Sequence, residues 1–125
     1  MGAITFERNK SLREFSNYQV GGPADYFCAP QSIDELVGVL HEWGNKGKIF
    51  ILGGGTNLLI NDDGFHGLVI KPELQSIALE GSMVRVGAGV LMKDLLAATI
   101  EAGLSGLEWA GGLPGTVGGA VRGNA

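Results

Sequence analysis

The sequence predicts an α+β protein in which a strand–helix–strand unit is followed by an antiparallel hairpin and a second helix. Two short apolar runs flank a segment whose apolar residues recur at helical spacing, and two later segments alternate apolar and polar residues around a turn. Glycine clusters at 53–55 and 111–119 lie among these elements. With 125 residues, 45% of them hydrophobic, the chain is long enough for one domain with its own core.

The first predicted strand is Ala24–Ala29, which a turn at Val20–Pro23 precedes. Residues 1–17 are polar and show only a weak pattern of apolar residues, so we expect them to form a lead-in. The ordered part is therefore expected to start near Tyr18, with residues 18–125 forming the domain.

A helix is predicted after this strand because Ser32 and Glu35 have the spacing of a capping box. Gly44 or Gly47 is expected to end it. Lys48–Leu52 is then predicted to be a buried strand that leads into the first glycine cluster. Since helical crossovers join parallel strands, the first sheet should be partly parallel. The apolar positions of the helix are Ile33, Leu36, Val37, Leu40 and Trp43.

The following part of the chain is predicted to contain a turn, a strand, a β-hairpin and a helix that Gly103 ends. The helix is expected to face inward through Leu91, Leu95, Ala98 and Ala102. The predicted ranges are 61–64 for the turn, 67–71 for the strand, 76–79 and 83–86 for the hairpin arms, and 91–102 for the helix.

Composition argues against several classes of protein. The formal net charge is −4 and the nine Lys and Arg residues are scattered, so no nucleic-acid partner is expected. Cys28, the single cysteine, excludes an internal disulfide and is expected to be an inert core residue. Because no signal pattern or bilayer-length apolar run occurs, we expect a cytoplasmic protein without a membrane partner. His41 and His66 lack a second ligand at metal spacing, so no metal site is expected.

The glycine clusters indicate a ligand site, since glycine lets a ligand approach the main chain or lets φ become positive. No Lys-Ser or Lys-Thr pair follows Gly53–Asn57, which excludes a nucleoside triphosphatase loop. The dinucleotide fingerprint fails there because Leu58 occupies its third glycine position, and it fails at Gly87–Met92 because the last residue is large. A nest of backbone N–H groups for a pyrophosphate remains, with Thr56 and Asn57 adding polar side chains.

The second cluster, within Ala110–Ala120, is predicted to serve the same ligand. Pro114 fixes φ and presets the turn before a short helix. The free N–H groups of that helix are expected to face an anion or the edge of a ring. Taken together, the two clusters favour a cofactor site over two unrelated tight turns.

Four segments resemble the UDP-N-acetylenolpyruvoylglucosamine reductase family: Asn17–Ala24, Gly53–Leu59, Gly64–Gly67 and Gly112–Ala120. The resemblance implies an FAD-binding fold of the vanillyl-alcohol oxidase type, with two small α/β subdomains and noncovalently bound FAD between them. It also implies reduction of the enolpyruvyl ether of UDP-N-acetylglucosamine, with NADPH as co-substrate, to UDP-N-acetylmuramate for peptidoglycan. The implied FAD-binding residues are Leu52, Gly53, Gly54, Gly55, Thr56, Asn57, Leu58, Gly112, Leu113, Pro114, Gly115, Thr116, Gly118, Gly119, Ala120 and Asn124.

The family's serine proton donor, and the arginine and glutamate that polarise the enolpyruvyl group, correspond to segments beyond Ala125. We therefore expect an incomplete FAD-binding domain without catalytic residues, inactive alone, whose UDP-sugar partner binds through the missing part. Arg122 departs from the apolar residue common at its position in parts of the family, and both a phosphate contact and a plain surface charge stay open for it. Two alternatives also stay open: another flavoprotein of the same fold, such as an oxidase or the flavin subunit of a molybdenum hydroxylase, and a non-catalytic FAD-binding or assembly module.

Overall fold

The computed structural model describes residues 5–16, 18–54 and 60–123. These residues form two units, and the predicted α+β class is confirmed. The first unit contains strands β1 (Glu7–Ser11), β2 (Pro23–Cys28), β3 (Lys48–Ile51) and β4 (Phe65–Ile70) with helix α1 (Ile33–Trp43) and a 3₁₀ turn at Arg13–Phe15. The second unit contains strands β5 (Ile77–Glu80) and β6 (Met83–Val86), helices α2 (Met92–Glu101) and α3 (Val117–Arg122), and a 3₁₀ turn at Glu108–Ala110.

The sheet of the first unit has the strand order β1-β2-β4-β3. β4 lies between β2 and β3 and runs parallel to both, whereas β1 is antiparallel to β2. Helix α1 therefore connects two parallel strands across an inserted third. The predicted partly parallel sheet and its strand–helix–strand unit are confirmed.

Strand β4 separates two core layers, because successive side chains of a strand point to opposite faces. Leu68 and Ile70 pack with Cys28 and Trp43 on the α1 side. Val69 packs into the layer on the other face. Cys28 is only 7% exposed, so its predicted place in the core is confirmed.

The N-terminal residues differ from the prediction of a lead-in. β1 pairs with β2, with Glu7 opposite Phe27, and Leu12 is 3% exposed in the core. The ordered part thus begins well before Tyr18. Sequence reasoning missed β1 because this edge strand exposes nearly all its residues and so shows no alternation of apolar and polar side chains.

Helix α1 begins and ends where the sequence predicts. Ser32 Oγ accepts a hydrogen bond from Glu35 N at 3.0 Å, and the chain leaves the helix at Gly44 with φ of 56°. The Glu35 carboxylate accepts from Gln31 N at 2.6 Å, one residue before the usual capping-box partner. The helix buries Val39 and Trp43 and leaves three other apolar side chains exposed: Ile33, Val37 and Leu40.

The prediction that Lys48–Leu52 is a buried strand is wrong for β3. All four β3 residues are exposed, because β3 is the edge strand beyond β4 and borders an open cleft. Leu52, immediately after the strand, is the buried residue at 2% exposure, and its N–H donates to Ile70 O at 2.8 Å. The end of the strand is therefore anchored by the residue that follows it.

The predicted antiparallel hairpin and the helix after it are present in the second unit. Residues 61–64 form the predicted turn, in which Gly64 N donates to Asn61 O at 2.9 Å. The predicted inward face of α2 is only partly right: Leu95 is buried, but Leu91 is exposed. Met92 and Thr99 are buried instead, which rotates the core-facing side of the helix. No helix among the described residues combines the length and the apolar character needed to span a membrane.

Candidate functional site

The two glycine clusters meet in the structure. A Cβ built on Gly53 would stand 3.3 Å from Thr116 Oγ1, and one built on Gly54 would stand 3.1 Å from Gly115 Cα. Neither Gly53 nor Gly54 has φ in the left-handed region, so close approach of two backbones, and not a positive φ, accounts for glycine at these positions. The first unit thus contacts the second through nearly bare main chain.

The second segment is held by its own hydrogen bonds. Gly115 has φ of 90°, which favours glycine, and its carbonyl accepts from Met92 N at 2.9 Å. Thr116 forms an isolated antiparallel bridge with Leu91 and is 9% exposed. Its hydroxyl accepts from Gly119 N at 3.1 Å and so caps α3. The start of α2 therefore fixes the position of the second glycine cluster.

The expectation that free N–H groups at the start of α3 face an anion is wrong. Val117 N donates to Val90 O at 2.8 Å, and Gly118 N donates to Ala88 O at 2.9 Å. Gly119 N is bound by the Thr116 hydroxyl. These donors dock α3 on the segment before α2, so the helix start has no free amide among them to offer a ligand.

A cleft of about 470 Å³ opens beside this contact. Its size is within the range of small-molecule and cofactor sites. One wall comes from β3 and the residues that follow it, and the other comes from α3 and the segment before α2. The lining residues are Ile49, Phe50, Ile51, Leu52, Gly53, Lys71, Pro72, Ala88, Thr116, Gly118, Gly119 and Arg122.

Five of the predicted FAD-binding residues line the cleft: Leu52, Gly53, Thr116, Gly118 and Gly119. Gly54 and Gly115 lie at the contact between the two segments. Leu113 and Ala120 instead pack against the core of the second unit, and Gly112 and Pro114 are exposed. The other predicted residues lie outside the described part of the chain: Gly55, Thr56, Asn57, Leu58 and Asn124.

Sequence reasoning missed six lining residues: Ile49, Phe50, Ile51, Lys71, Pro72 and Ala88. Arg122, for which the sequence leaves a phosphate contact open, also lines the cleft. The β3 residues were missed because the strand was taken as buried. Lys71 directly follows Ile70, the last residue of β4, which pairs with Ile51 of β3. Its place at the carboxyl end of a parallel strand beside the glycine cluster is a signal that could have found it.

Gly87 and Gly89 have a packing role that the failed dinucleotide fingerprint did not reveal. A Cβ on Gly87 would stand 2.1 Å from Leu74 O, and one on Gly89 would stand 2.7 Å from Pro72 O. These two glycines let the segment before α2 lie directly on the segment after β4. Ala88, between them, is thereby brought to the cleft, where a Cβ on Gly118 would stand 2.9 Å from the Ala88 Cβ.

The lining fits a long cofactor with an anionic middle and aromatic ends. Gly53 and the pair Gly118–Gly119 present main chain without side chains, and the apolar side chains of β3 offer a surface for a ring. Lys71 and Arg122 bring positive charge, and none of the described residues in the lining is a carboxylate. FAD, which joins two ring systems through a pyrophosphate, matches this combination.

The titratable groups of the described residues lie mostly away from the cleft. Burial raises the pKa of the Cys28 thiol to about 11, so the thiol stays protonated. Hydrogen bonds from backbone N–H groups of Glu108 and Gly106 lower the pKa of the exposed Glu108 carboxyl. His66 is 77% exposed, with Nδ1 3.4 Å from Asp25 Oδ1. Among the described residues, no group of His, Cys, Asp and Glu is arranged to hold a metal ion.

Comparison with known proteins supports this interpretation of the cleft. The chain is 40% identical to a UDP-N-acetylenolpyruvoylglucosamine reductase of Prochlorococcus marinus, over 100% of the chain and 44% of that protein. It is 42% identical to the same enzyme of Rubrobacter xylanophilus, over 94% of the chain and 40% of that protein. The chain thus spans about two fifths of the length of these relatives.

Two further comparisons agree. The structure of the chain is similar to the crystal structure of UDP-N-acetylenolpyruvylglucosamine reductase from Thermus caldophilus, with a TM-score of 0.74 and 35% identity over 97% of the chain and 42% of that protein. A family model described as FAD binding domain matches residues 24–125, which include both glycine clusters. The chain therefore belongs to the FAD binding domain family.

Proposed function

We propose that this chain is the FAD-binding part of an NADPH-dependent enzyme that reduces UDP-N-acetylglucosamine enolpyruvate to UDP-N-acetylmuramate for peptidoglycan. The observation that carries the proposal is the contact of Gly53 and Gly54 with Gly115 and Thr116 beside the cleft. The relatives that bear the reductase name match along almost the whole chain, which supports this activity over that of another flavoprotein of the same fold.

When bound, FAD would supply the redox chemistry, which is hydride transfer between NADPH and the enolpyruvyl double bond. The residues of this chain bind and orient the cofactor. We assign the pyrophosphate to the first glycine segment, from Gly53 to Leu58, and the flavin and its ribityl chain to the second segment. The exposed apolar side chains of β3 would then shield part of the cofactor from water.

The proposed binding is noncovalent. Covalent flavin attachment needs a nucleophilic side chain, such as a histidine or cysteine, next to the ring. The described residues that line the cleft include neither type. His66 lies outside the lining and pairs with Asp25, while Cys28 is buried in the core of the first unit. Both observations favour a cofactor that is bound noncovalently.

Protonation of the substrate carbon is assigned to residues outside 1–125. Reduction of a double bond needs a positioned acid beside the hydride donor. The described cleft lining contains no serine, which is the residue type of the proton donor that the family resemblance implies. We propose that the UDP-sugar also binds through residues outside 1–125 and that the reaction takes place in the cytoplasm. Residues 1–125 alone are then expected to catalyse no reduction.

The proposal is tested with the intact protein that contains these residues. The measurement is NADPH oxidation with UDP-N-acetylglucosamine enolpyruvate, and formation of UDP-N-acetylmuramate is followed by mass spectrometry. We expect oxidation that depends on the sugar and yields this product. Oxidation that proceeds equally well with dioxygen alone would favour an oxidase, and absence of turnover despite bound FAD would favour a non-catalytic module. Residues 1–125 alone, checked for folding by circular dichroism, are the matched negative control.

A further inference from the structure

We propose that Arg122, acting with Lys71, is the counter-ion for the pyrophosphate of the bound cofactor. The inference rests on the proposed function, because it takes FAD to be the ligand of the cleft. It goes further by assigning the charge recognition to two side chains, one from each unit of the fold. Arg122 ends α3 in the second unit, and Lys71 follows β4 in the first.

The cleft is positively charged, whereas the protein as a whole is acidic. The chain carries 13 acidic against nine basic residues, and its formal net charge is −4. All of these charged residues fall within the described ranges. The cleft nevertheless has Lys71 and Arg122 in its lining and no carboxylate. A positive cleft on an acidic protein selects an anionic ligand and raises its local concentration.

Within residues 5–16, 18–54 and 60–123, no side chain forms an ion pair with the Arg122 guanidinium. The ion pairs found among the described residues join Lys10 to Glu14 and Asp25 to His66, and neither involves Arg122. Lys71 Nζ lies 6.0 Å from the centroid of the Phe15 ring, a contact that leaves its donors available. Both cations are therefore free to bind an anion that enters the cleft.

The backbone at the start of α3 has no free N–H group at Val117, Gly118 or Gly119, so a side chain is needed to bind an anion on this wall of the cleft. The N–H groups of Val117, Gly118 and Gly119 are already hydrogen-bonded within the protein. The start of α3 thus lacks the free amides that usually bind a phosphate at a helix N-terminus. Arg122, one turn further along the same helix, supplies a planar guanidinium with several donors, which suits phosphate oxygens.

The apolar part of the cleft indicates what kind of anion would bind there. Ile49, Phe50 and Ile51 lie in the same lining as the two cations. An anion attached to ring systems would use both surfaces at once, whereas free pyrophosphate would leave the apolar surface exposed to water. Two cations also match the two negative charges of the FAD pyrophosphate. The lining therefore favours FAD over a free anion.

The test compares binding of FAD and of riboflavin, which lacks the phosphates, to the intact apoprotein by quenching of flavin fluorescence. Arg122→Ala should raise the Kd for FAD by about three- to tenfold and leave the Kd for riboflavin unchanged, as expected for loss of one partly exposed charged contact. Arg122→Lys should recover part of the loss, because it keeps the charge. The FAD affinity of Arg122→Ala should also depend less on salt than that of the wild type.

Arg85→Ala is the matched control, since it removes an exposed arginine of the second unit that does not line the cleft. We expect it to leave both dissociation constants unchanged. Equal FAD affinity and equal salt dependence for Arg122→Ala and the wild type would overturn the inference, as would an equal loss for riboflavin or for Arg85→Ala. Tight FAD binding by the wild type would leave the proposed function standing in each of these cases, and absence of FAD binding by the wild type would overturn both.

Discussion

Gly54 faces Gly115 so closely that a Cβ on Gly54 would stand 3.1 Å from the Gly115 Cα. This single relationship joins two segments that are separated by 60 residues and belong to different units. Since backbone atoms cannot move aside as a flexible side chain can, the distance leaves little room for any residue other than glycine. The contact thereby sets the spacing of the walls beside the cleft.

The first prediction concerns this contact. Gly54→Val should abolish FAD retention while the far-UV circular dichroism stays close to that of the wild type, because the added carbons push the two segments apart at an exposed position. Gly54→Ala should weaken FAD binding less. Gly47→Ala is the matched control, since its Cβ would meet only the Trp43 ring at 3.5 Å, an ordinary contact. An unchanged FAD dissociation constant in Gly54→Val would refute the assignment of this loop.

The second prediction separates steric clash from backbone strain. Gly64 has φ of 82°, and a Cβ there would stand 1.9 Å from Pro23 O. Gly81 has φ of 63°, but a Cβ there would meet no heavy atom within 4 Å. Gly81→Ala should therefore cost about 1 kcal/mol, the price of the left-handed conformation alone. Gly64→Ala should cost more than about 3 kcal/mol. Chemical denaturation gives both values, and similar losses would contradict the clash.

The third prediction concerns the cap of α3. Thr116→Val keeps the shape of the side chain but removes the oxygen that accepts from Gly119 N. It should lower the free energy of unfolding by about 1 kcal/mol, the usual loss for an N-cap. Thr116→Ser keeps the hydroxyl and should retain most of the capping energy. Urea denaturation of the two variants checks this, and greater stability of the valine variant would argue against the cap.

The fourth prediction concerns pH. Burial raises the pKa of Cys28 from 9.0 to about 11, so between these values the unfolded chain loses the thiol proton while the folded protein keeps it. The contribution of Cys28 is complete below pH 9 and falls as the pH rises toward 11. The difference in unfolding free energy between wild type and Cys28→Ala should shrink over this interval, as measured by urea denaturation. A constant difference would show that the thiol is not shielded from water.

The sequence predicts most of the elements because their local signals agree with the fold. Ser32 caps α1, Gly44 ends it, and the hairpin alternation places β5 and β6 within one residue of their observed bounds. Convergence of the two glycine clusters also follows from the sequence, once both are taken to serve one ligand. The failures lie where long-range packing decides the outcome.

These failures share a physical cause. β1 and β3 are edge strands, so their burial depends on neighbours that no local pattern specifies. The amides at the start of α3 are bonded to Val90 and Ala88, which are distant in sequence. Lys71 and Arg122 reach the cleft from two units, and their positions relative to each other follow from the docking of those units. Local patterns carry no information on such contacts.

The most direct test of the account is the flavin content of the purified intact protein. We predict one FAD per chain, released into the supernatant when the protein is precipitated with acid, and rebinding of FAD by the apoprotein at the same ratio. This result would show that the protein holds one FAD per chain without a covalent bond, as expected if FAD is the ligand of the cleft. A folded apoprotein that binds no FAD on titration, or flavin that stays with the precipitated protein, would contradict it.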